Sequence, residues 1–162
     1  MITCLIRTHP GRELSTQVAV QSAENSGCKY KIFTGETVAD YTYNLYCNVM
    51  KQWVNDGYFF FLDSDDFIIP GAIEKIKPHL EPGKALIVQM LRNGVPKPAR
   101  AEIVKGRIGL PCILLHHSHK NIADVEATET GDFSFIQNVC KRIPWKFLAI
   151  PLVNVGKRNY GR

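Results

Sequence analysis

The sequence lacks a long apolar run. None of its 162 residues lies in an apolar stretch that approaches the roughly 20 residues of a membrane-spanning helix. Residues 1–7 have neither the charged start nor the cleavage site of a signal peptide. We therefore expect no transmembrane segment, and the length predicts one domain rather than two.

The sequence lacks clustered cysteines, and its five are scattered. The five residues form no CxxC pair; they are Cys4, Cys28, Cys47, Cys112 and Cys140. An odd, dispersed set without a secretion signal indicates reduced thiols and predicts a cytoplasmic protein. We interpret these side chains as small buried hydrophobic groups.

The chain also lacks a concentrated block of one charge. Its formal net charge is +5 and its pI is about 9.0, which suits an anionic partner such as a nucleotide diphosphate. The basic residues are not interleaved with aromatic residues in a recognisable platform, so binding to nucleic acid is not expected. Lys157 and Arg158, near the end of the sequence, are candidates for contacts with phosphate.

Segments with the patterns of strands and helices alternate along the first half of the chain. Strands are expected at residues 2–7, 29–34, 58–62 and 85–91, with helices at about 12–25, 38–54 and 70–80. A looser half follows, with a loop or hairpin at 93–111, strands near 111–116 and within 144–155, and a helix at about 132–142. This order predicts an α/β domain with a mainly parallel central sheet flanked by helices. No internal repeat or interdomain linker interrupts it.

Apolar residues four positions apart predict which faces of the first two helices point inward. Leu14 and Val18 share a face of the first helix. Tyr41, Leu45 and Val49 do the same in the second, with Tyr46, Met50 and Trp53 beside them. We expect both faces to pack against the sheet.

The most informative segment comprises residues 58–66, where an apolar run ends in three carboxylates, Asp63, Asp65 and Asp66. An apolar run of this length is typical of a strand buried on both faces. Open α/β sheets bind ligands at the carboxyl ends of their strands. Asp63 and Asp65 therefore predict a site for a hard cation, Mn²⁺ or Mg²⁺, which oxygen ligands suit. The alternative is a group that caps or faces the start of the next helix, and we prefer this structural role for Asp66.

Three histidines, His116, His117 and His119, lie close together near Cys112. Such a set could bind zinc. Neighbouring residues of a strand point to opposite faces, however, so the three imidazoles do not easily reach one ion. We interpret most of them as polar loop residues or as contacts with an acceptor.

Taken together, these segments resemble a small glycosyltransferase of the GT-A fold, most similar to the family 2 glycosyltransferases. Residues 60–66, followed by Pro70 and a helix, resemble the family's strand, DxDD and proline pattern. Residues 5–12 resemble its first strand and nucleotide-binding turn, and Asn44 resembles an asparagine often found before the acidic strand. Residues 131–133 resemble a later acidic motif whose aspartate is the catalytic base. The resemblance covers nearly the whole chain and is most specific around residues 58–76.

The resemblance implies one GT-A-like domain over residues 1–162, with a nucleotide- and metal-binding half at 1–92 and an acceptor-side half at 93–162. It also implies transfer of a sugar from a nucleotide-diphospho-sugar, with UDP-sugar as the default donor, to a hydroxyl acceptor with inversion. The roles it implies for individual residues are as follows: Asp132 as catalytic base; Arg7, Thr8, Glu36, Asn44, Asp63, Lys157 and Arg158 in donor binding; and Asp65, Asp63 and His119 as metal ligands.

The sequence departs from the family pattern at two places. Gly131 replaces the acid that usually precedes the catalytic aspartate. The aspartate that usually reads the base is also missing, and Glu36 or Asp40 could substitute for it. The chain is also short for the family, so a second subunit could complete the acceptor side. Two alternatives therefore stay open: a non-catalytic module that binds nucleotide or carbohydrate, and an enzyme of the nucleotidyltransferase type.

Overall fold

The computed structural model describes residues 1–36 and 41–156. The strands within this part of the chain are β1 Ile2–Thr8, β2 Lys29–Thr34, β3 Tyr58–Asp63, β4 Phe67–Ile68, β5 Ala85–Arg92, β6 Val95–Lys97, β7 Ile113–His116 and β8 Trp145–Val155. The α-helices are α1 Glu13–Asn25, α2 Leu45–Met50, α3 Ala72–Ile76 and α4 Gly131–Arg142. Short 3-10 segments, Thr42–Asn44 and Lys51–Trp53, extend α2 at both ends.

The strands form one curled mixed sheet in the order β2-β1-β3-β7-β5-β8-β4, with β6 paired to β5. The longest ladders, β1 with β2, β1 with β3 and β5 with β8, are parallel. Shorter antiparallel ladders attach β7 to β3 and to β5, β4 to β8, and β6 to β5. The α/β class predicted from the sequence is confirmed, and β6 is the hairpin strand expected within residues 93–111.

Helices cover both faces of this sheet. Because successive side chains of a strand point to opposite faces, β3 contributes Phe59 and Phe61 to one core and Phe60 and Leu62 to the other. The first core includes α2 and α4, and the second includes α1 and α3. The expectation that β3 is buried on both faces is therefore confirmed, since each of its apolar side chains is buried.

The predicted inward faces of α1 and α2 are wrong. Leu14 and Val18 are 80% and 56% exposed, and α1 instead packs through its small residues Ala19 and Ala23. Tyr41, Leu45 and Val49, predicted to share a face on and before α2, are also exposed, whereas Met50, predicted to lie beside them, is buried together with Cys47. Helix α1 packs its alanine face on the sheet because small side chains let the helix axis approach the sheet closely.

The five cysteines are unpaired thiols, and all except the partly buried Cys140 are buried. Burial raises the pKa of the Cys47 and Cys112 thiols to about 12. These groups therefore pack as the small hydrophobic side chains that the sequence indicates. Among the described residues, no helix is both long enough and apolar enough to cross a membrane.

Candidate functional site at the carboxyl ends of β1 and β3

Arg7 and Asp63 form an ion pair where two parallel strands end side by side. They are register partners of β1 and β3. The Asp63 Oδ1 atom accepts from Arg7 Nε at 2.8 Å and lies 2.6 Å from Arg7 Nη2. Arg7 is only 6% exposed and Asp63 is 25% exposed. The Asp63 carboxylate is thus partly accessible, and the buried Arg7 guanidinium holds it in place.

Other groups occupy the remaining side of the Arg7 guanidinium. Its Nη1 donates to Asn44 Oδ1 at 2.9 Å and to the Cys47 sulfur at 3.5 Å. Its Cζ atom lies 4.3 Å from the centre of the Tyr43 ring, a cation–π distance. Arg7 is therefore held in one orientation by neighbours from β3 and from the helical segment around α2.

The Arg7 guanidinium lies within the electrostatic range of Asp132. Burial, the largest single effect, lowers the pKa of Arg7, but the combined effects of Asp63, Cys47, Asp132 and Tyr43 raise it further, so the net pKa is above its usual value. Asp132 lies in the first turn of α4, near Gly109, where an added Cβ would lie 3.8 Å from Asp132 Oδ2. The fold thus gathers Arg7, Asn44, Asp63 and Asp132 around one edge of the sheet.

The other two acids of the cluster have separate partners. Asp65 Oδ2 lies 3.0 Å from Arg12 Nη1, and both side chains are partly exposed, at 24% and 33%. Asp66 is 4% exposed, and its Oδ1 accepts from the Gly156 backbone N–H at 2.9 Å. Asp66 thus fastens the end of β8 to the turn after β3. This contact is structural, but it is with the end of β8 and not with the start of α3.

Thr8 is buried at the end of β1, and its hydroxyl lies 2.7 Å from the Thr16 hydroxyl of α1. Its carbonyl accepts from the Gly35 N–H, which fixes the turn after β2. Glu36 follows in this turn and is exposed. Asp40 lies outside the described residues, as do Lys157 and Arg158, predicted to bind the diphosphate.

The structure does not bring His119 to the acidic cluster. Strand β7 runs antiparallel to β3, so His116 pairs with Tyr58 at the start of β3. Asp63 lies at the other end, about 17 Å along the strand at 3.3 Å per residue. His119 Nε2 lies 2.9 Å from the Pro82 carbonyl oxygen. The structure therefore does not place His119 beside Asp65, because the direction of β7 carries it towards the start of β3.

Two partly exposed carboxylates, Asp63 and Asp65, are the oxygen groups at this edge that could hold a cation. Within the described part of the chain, no three histidine, cysteine or acidic side chains are grouped to hold an ion. Mg²⁺ and similar ions are often bound by one or two carboxylates, with substrate phosphates completing the shell. The oxygen donors therefore fit Mn²⁺ or Mg²⁺ together with a diphosphate, and not a site for the ion alone.

Polar side chains on the segment around α2, which we call the α2 ladder, form hydrogen bonds with the stretch of chain that precedes Asp132. Asn44 Nδ2 donates to the carbonyls of Glu126 and Thr128, at 3.3 and 3.2 Å. Asn48 both donates to the Val125 carbonyl at 2.9 Å and accepts from the Val125 N–H at 2.8 Å. These two side chains are four positions apart, so they share one helix face.

The C-terminal end of the same ladder is anchored by Lys51, which is 1% exposed. Its Nζ donates to the Ala123 carbonyl and to Asp124 Oδ1, each at 2.5 Å. Beyond it, Gln52 donates to Asn121 at the surface. The sequence does not single out Asn48 or Lys51, and it indicates Arg12 only as part of the turn within residues 5–12. The four-residue spacing of Asn44, Asn48 and Gln52 is the sequence feature that could have indicated this ladder.

A side chain at position 131 is excluded for a steric reason. A Cβ at this position would lie 2.1 Å from the Glu126 carbonyl oxygen and 3.0 Å from Asn44 Nδ2. The path of residues 126–131 across Asn44 therefore excludes a side chain. Glycine at this position thus follows from how closely the segment approaches Asn44.

Comparison with solved structures identifies the architecture. Staphylococcus aureus TarS, residues 1–349 in complex with UDP-GlcNAc, aligns with 100% of this chain and 60% of its own, at a TM-score of 0.72 and 15% identity. A glycosyltransferase involved in glycosylation of the major capsid of PBCV-1 aligns over 100% of this chain and 96% of its own, at a TM-score of 0.57 and 11% identity. The chain has the GT-A fold.

The GT-A fold is shared with enzymes of another class. A putative glucose-1-phosphate thymidylyltransferase from Bacillus anthracis aligns over 94% of this chain and 88% of its own, with a TM-score of 0.54 and 8% identity. No protein-family model matches the sequence, and no curated protein matches it either. The chain spans 60% of the TarS 1–349 chain and 36% of a longer TarS structure.

Proposed function

We propose that this chain is a glycosyltransferase that moves a sugar from a nucleotide-diphospho-sugar to a hydroxyl acceptor. The observation that carries the proposal is the grouping of Arg7, Asn44, Asp63 and Asp132 at the carboxyl ends of β1 and β3 in a GT-A fold. Ligands of open α/β sheets lie at this edge. UDP-sugar is the donor that we favour, because UDP-GlcNAc is bound to TarS.

The donor side of the proposed site comprises the ends of β1, β2 and β3. Thr8 and Glu36 would contact the nucleoside, and Lys157 and Arg158 would contact the diphosphate. Asp63 and Asp65 would hold Mn²⁺ or Mg²⁺, which supplies positive charge to the leaving diphosphate when bound. Arg7 and Asn44 are nearly buried, at 6% and 3% exposure. Their contacts are with protein groups, so we assign them to positioning Asp63 and the segment before Asp132.

Asp132 would act as the general base. As the acceptor oxygen forms its bond to the anomeric carbon, the bond from that carbon to the diphosphate oxygen breaks, and the hydroxyl proton passes to Asp132. A single displacement of this kind inverts the anomeric configuration. Arg7 contributes by keeping a fixed positive charge within range of the Asp132 carboxylate.

The donor is tested first by thermal shift with the nucleoside diphosphates, each with and without Mn²⁺. We expect UDP to raise Tm in the presence of Mn²⁺, because a ligand that binds only the folded state stabilises it. The shift should be lost in Asp65→Ala. If no nucleotide changes Tm, the proposal is wrong.

Catalytic activity is tested by assays of UDP-GlcNAc hydrolysis and of sugar transfer from UDP-GlcNAc. We expect Asp132→Asn to lower the rate by about 10²-fold or more, the contribution typical of a general base, without loss of UDP binding. Glu129→Gln is the matched control, since it removes one charge three positions away at an exposed residue. A chain that binds UDP but turns over no donor would be the non-catalytic module.

The fold match to the thymidylyltransferase supports a nucleotidyltransferase as the second candidate. The two reactions differ in their products. A nucleotidyltransferase would consume a nucleoside triphosphate and a sugar 1-phosphate and release pyrophosphate, whereas the proposed glycosyltransferase releases a nucleoside diphosphate. Detection of pyrophosphate rather than UDP would favour the second candidate.

A further inference from the structure

The two arginine–carboxylate pairs at the site differ in how firmly each arginine is held. Arg7 is buried and contacts Asn44, Tyr43 and Cys47 in addition to Asp63. Its guanidinium cannot leave Asp63 without abandoning these contacts.

Arg12 combines a fixed backbone with a partly exposed side chain. It is the residue that precedes α1, and its carbonyl accepts from Thr16 N–H at 2.9 Å, from the Thr16 hydroxyl at 2.7 Å and from the Ser15 hydroxyl at 3.0 Å. The side chain is 33% exposed and reaches Asp65 Oδ2 at 3.0 Å. Because exposed ion pairs of this kind are weak and exchange readily, Arg12 can change partner while its backbone stays in place.

We propose that Arg12 is a diphosphate-binding residue that also controls access of the metal ion to Asp65. This inference rests on the proposed function, since it assumes that a nucleotide diphosphate binds at this edge of the sheet. Without nucleotide, Arg12 occupies Asp65 and competes with the cation. When the diphosphate binds, the guanidinium moves from the carboxylate to phosphate oxygens, a partner that its planar donors match well.

This exchange predicts a specific coupling between the two ligands. The nucleotide exposes Asp65 to the cation, and the cation releases Arg12 to the nucleotide. Each therefore increases the affinity of the protein for the other by the same factor. The charges of the groups support this exchange. Asp65 has one positive partner before the exchange, Arg12, and one after it, the cation. The bound diphosphate has two positive partners, Arg12 and the cation.

The test measures binding of Mn²⁺ alone, by electron paramagnetic resonance, and of UDP without metal, by calorimetry. Arg12→Gln should bind Mn²⁺ alone about three- to fivefold more tightly than the wild type, the size expected for loss of an exposed ion pair. The same variant should bind metal-free UDP about tenfold more weakly, through loss of a charge-assisted contact. Arg107→Gln, which breaks the exposed pair with Glu102, is the control for net charge and should change neither affinity.

A second variant tests the exchange from the opposite side. Asp65→Asn releases Arg12, so metal-free UDP should bind about three- to fivefold more tightly than to the wild type. Arg12→Lys keeps the charge and should return the Mn²⁺ affinity towards the wild-type value. Because these readouts are direct binding measurements, they do not require an acceptor or turnover.

The outcomes separate this inference from the proposed function. If UDP binds the wild type but Arg12→Gln and Arg107→Gln have equal affinities for Mn²⁺ and for UDP, the exchange is refuted and the proposed function stands. Weaker metal-free binding of UDP to Asp65→Asn would also refute the exchange. If UDP binds the wild type neither with nor without Mn²⁺, the proposed function fails, and the inference fails with it.

Discussion

The Asn44 side chain joins Arg7 to the segment that carries Asp132. Its Oδ1 accepts from Arg7 Nη1 at 2.9 Å, and its Nδ2 donates to the carbonyls of Glu126 and Thr128. One amide thereby links Arg7, at the end of β1, to residues that lie more than 80 positions after Asn44 in the sequence. The two halves of the candidate site are therefore coupled through the protein itself, before any ligand binds.

The first prediction concerns the buried Arg7 guanidinium. Arg7→Gln leaves Asp63 without its cation and Asn44 without its donor, so we expect a loss of about 3 kcal/mol in the free energy of unfolding. Arg107→Gln, at an exposed pair, should cost at most about 1 kcal/mol. Urea denaturation measures both. Equal losses in the two variants would show that the Arg7 pair does not contribute as its burial indicates.

The second prediction concerns Asn48, which makes two hydrogen bonds to the backbone of the buried residue Val125. Asn48→Ala leaves both backbone groups unsatisfied and should cost about 1–3 kcal/mol of stability. Because Val125 lies on the path to Asp132, donor turnover should fall while UDP affinity stays unchanged. Calorimetry and UDP-release assays separate these effects.

The control for Asn48 is Gln52→Ala, one turn along the same face. Its bond to Asn121 is exposed, so its loss should leave both stability and turnover almost unchanged. A variant of Asn48 that lost stability but kept the wild-type rate would mean that the ladder supports the fold and does not position Asp132.

The third prediction concerns Gly131. Gly131→Ala places a methyl group 2.1 Å from a backbone oxygen, so the segment at residues 126–131 must shift. We expect a loss of about 1–3 kcal/mol, the range typical of overpacking, and lower turnover. Gly83→Ala has open space around the added Cβ and should be neutral. Thermal melts compare the pair, and a neutral Gly131→Ala would contradict the close approach.

The fourth prediction concerns alkaline pH. Burial raises the pKa of Cys28 to about 11 and of Cys47, Cys112 and Cys140 to about 12, above the value of 9.0 for an unperturbed thiol. The folded state therefore holds protons that the unfolded state releases, so stability is full below pH 9 and falls as pH rises towards 11–12. Tm measured between pH 7 and pH 10.5 should decline above pH 9.

Alanine at Cys47 should reduce this alkaline decline, because it removes one of the raised thiols. The fall in Tm of this variant at pH 7 reports the lost packing, and it serves as the reference for the Tm values at higher pH. If the slope of Tm against pH were the same in Cys47→Ala and in the wild type, this thiol would not contribute to the pH dependence.

Several features were predictable because they depend on residues close together in the sequence. The apolar run of β3 and the acids after it identified a doubly buried strand with its polar end at the sheet edge. The alternation of strands and helices identified the α/β class. The sequence also favoured a structural role for Asp66 at the start of the next helix, whereas its contact is with the Gly156 N–H, 90 positions away.

The tertiary structure alone decided which partners those residues meet. Periodicity could not show that α1 packs through Ala19 and Ala23, because the choice depends on how closely a helix can approach the sheet. Nor could it show that β7 runs antiparallel to β3 and removes His119 from Asp65. The sequence by itself determined where a polar site could form, since strand ends and their side chains are local. The fold decided that Arg12 meets Asp65 and that Asn44 links Arg7 to the Asp132 segment, since these contacts join distant residues only when the sheet is assembled.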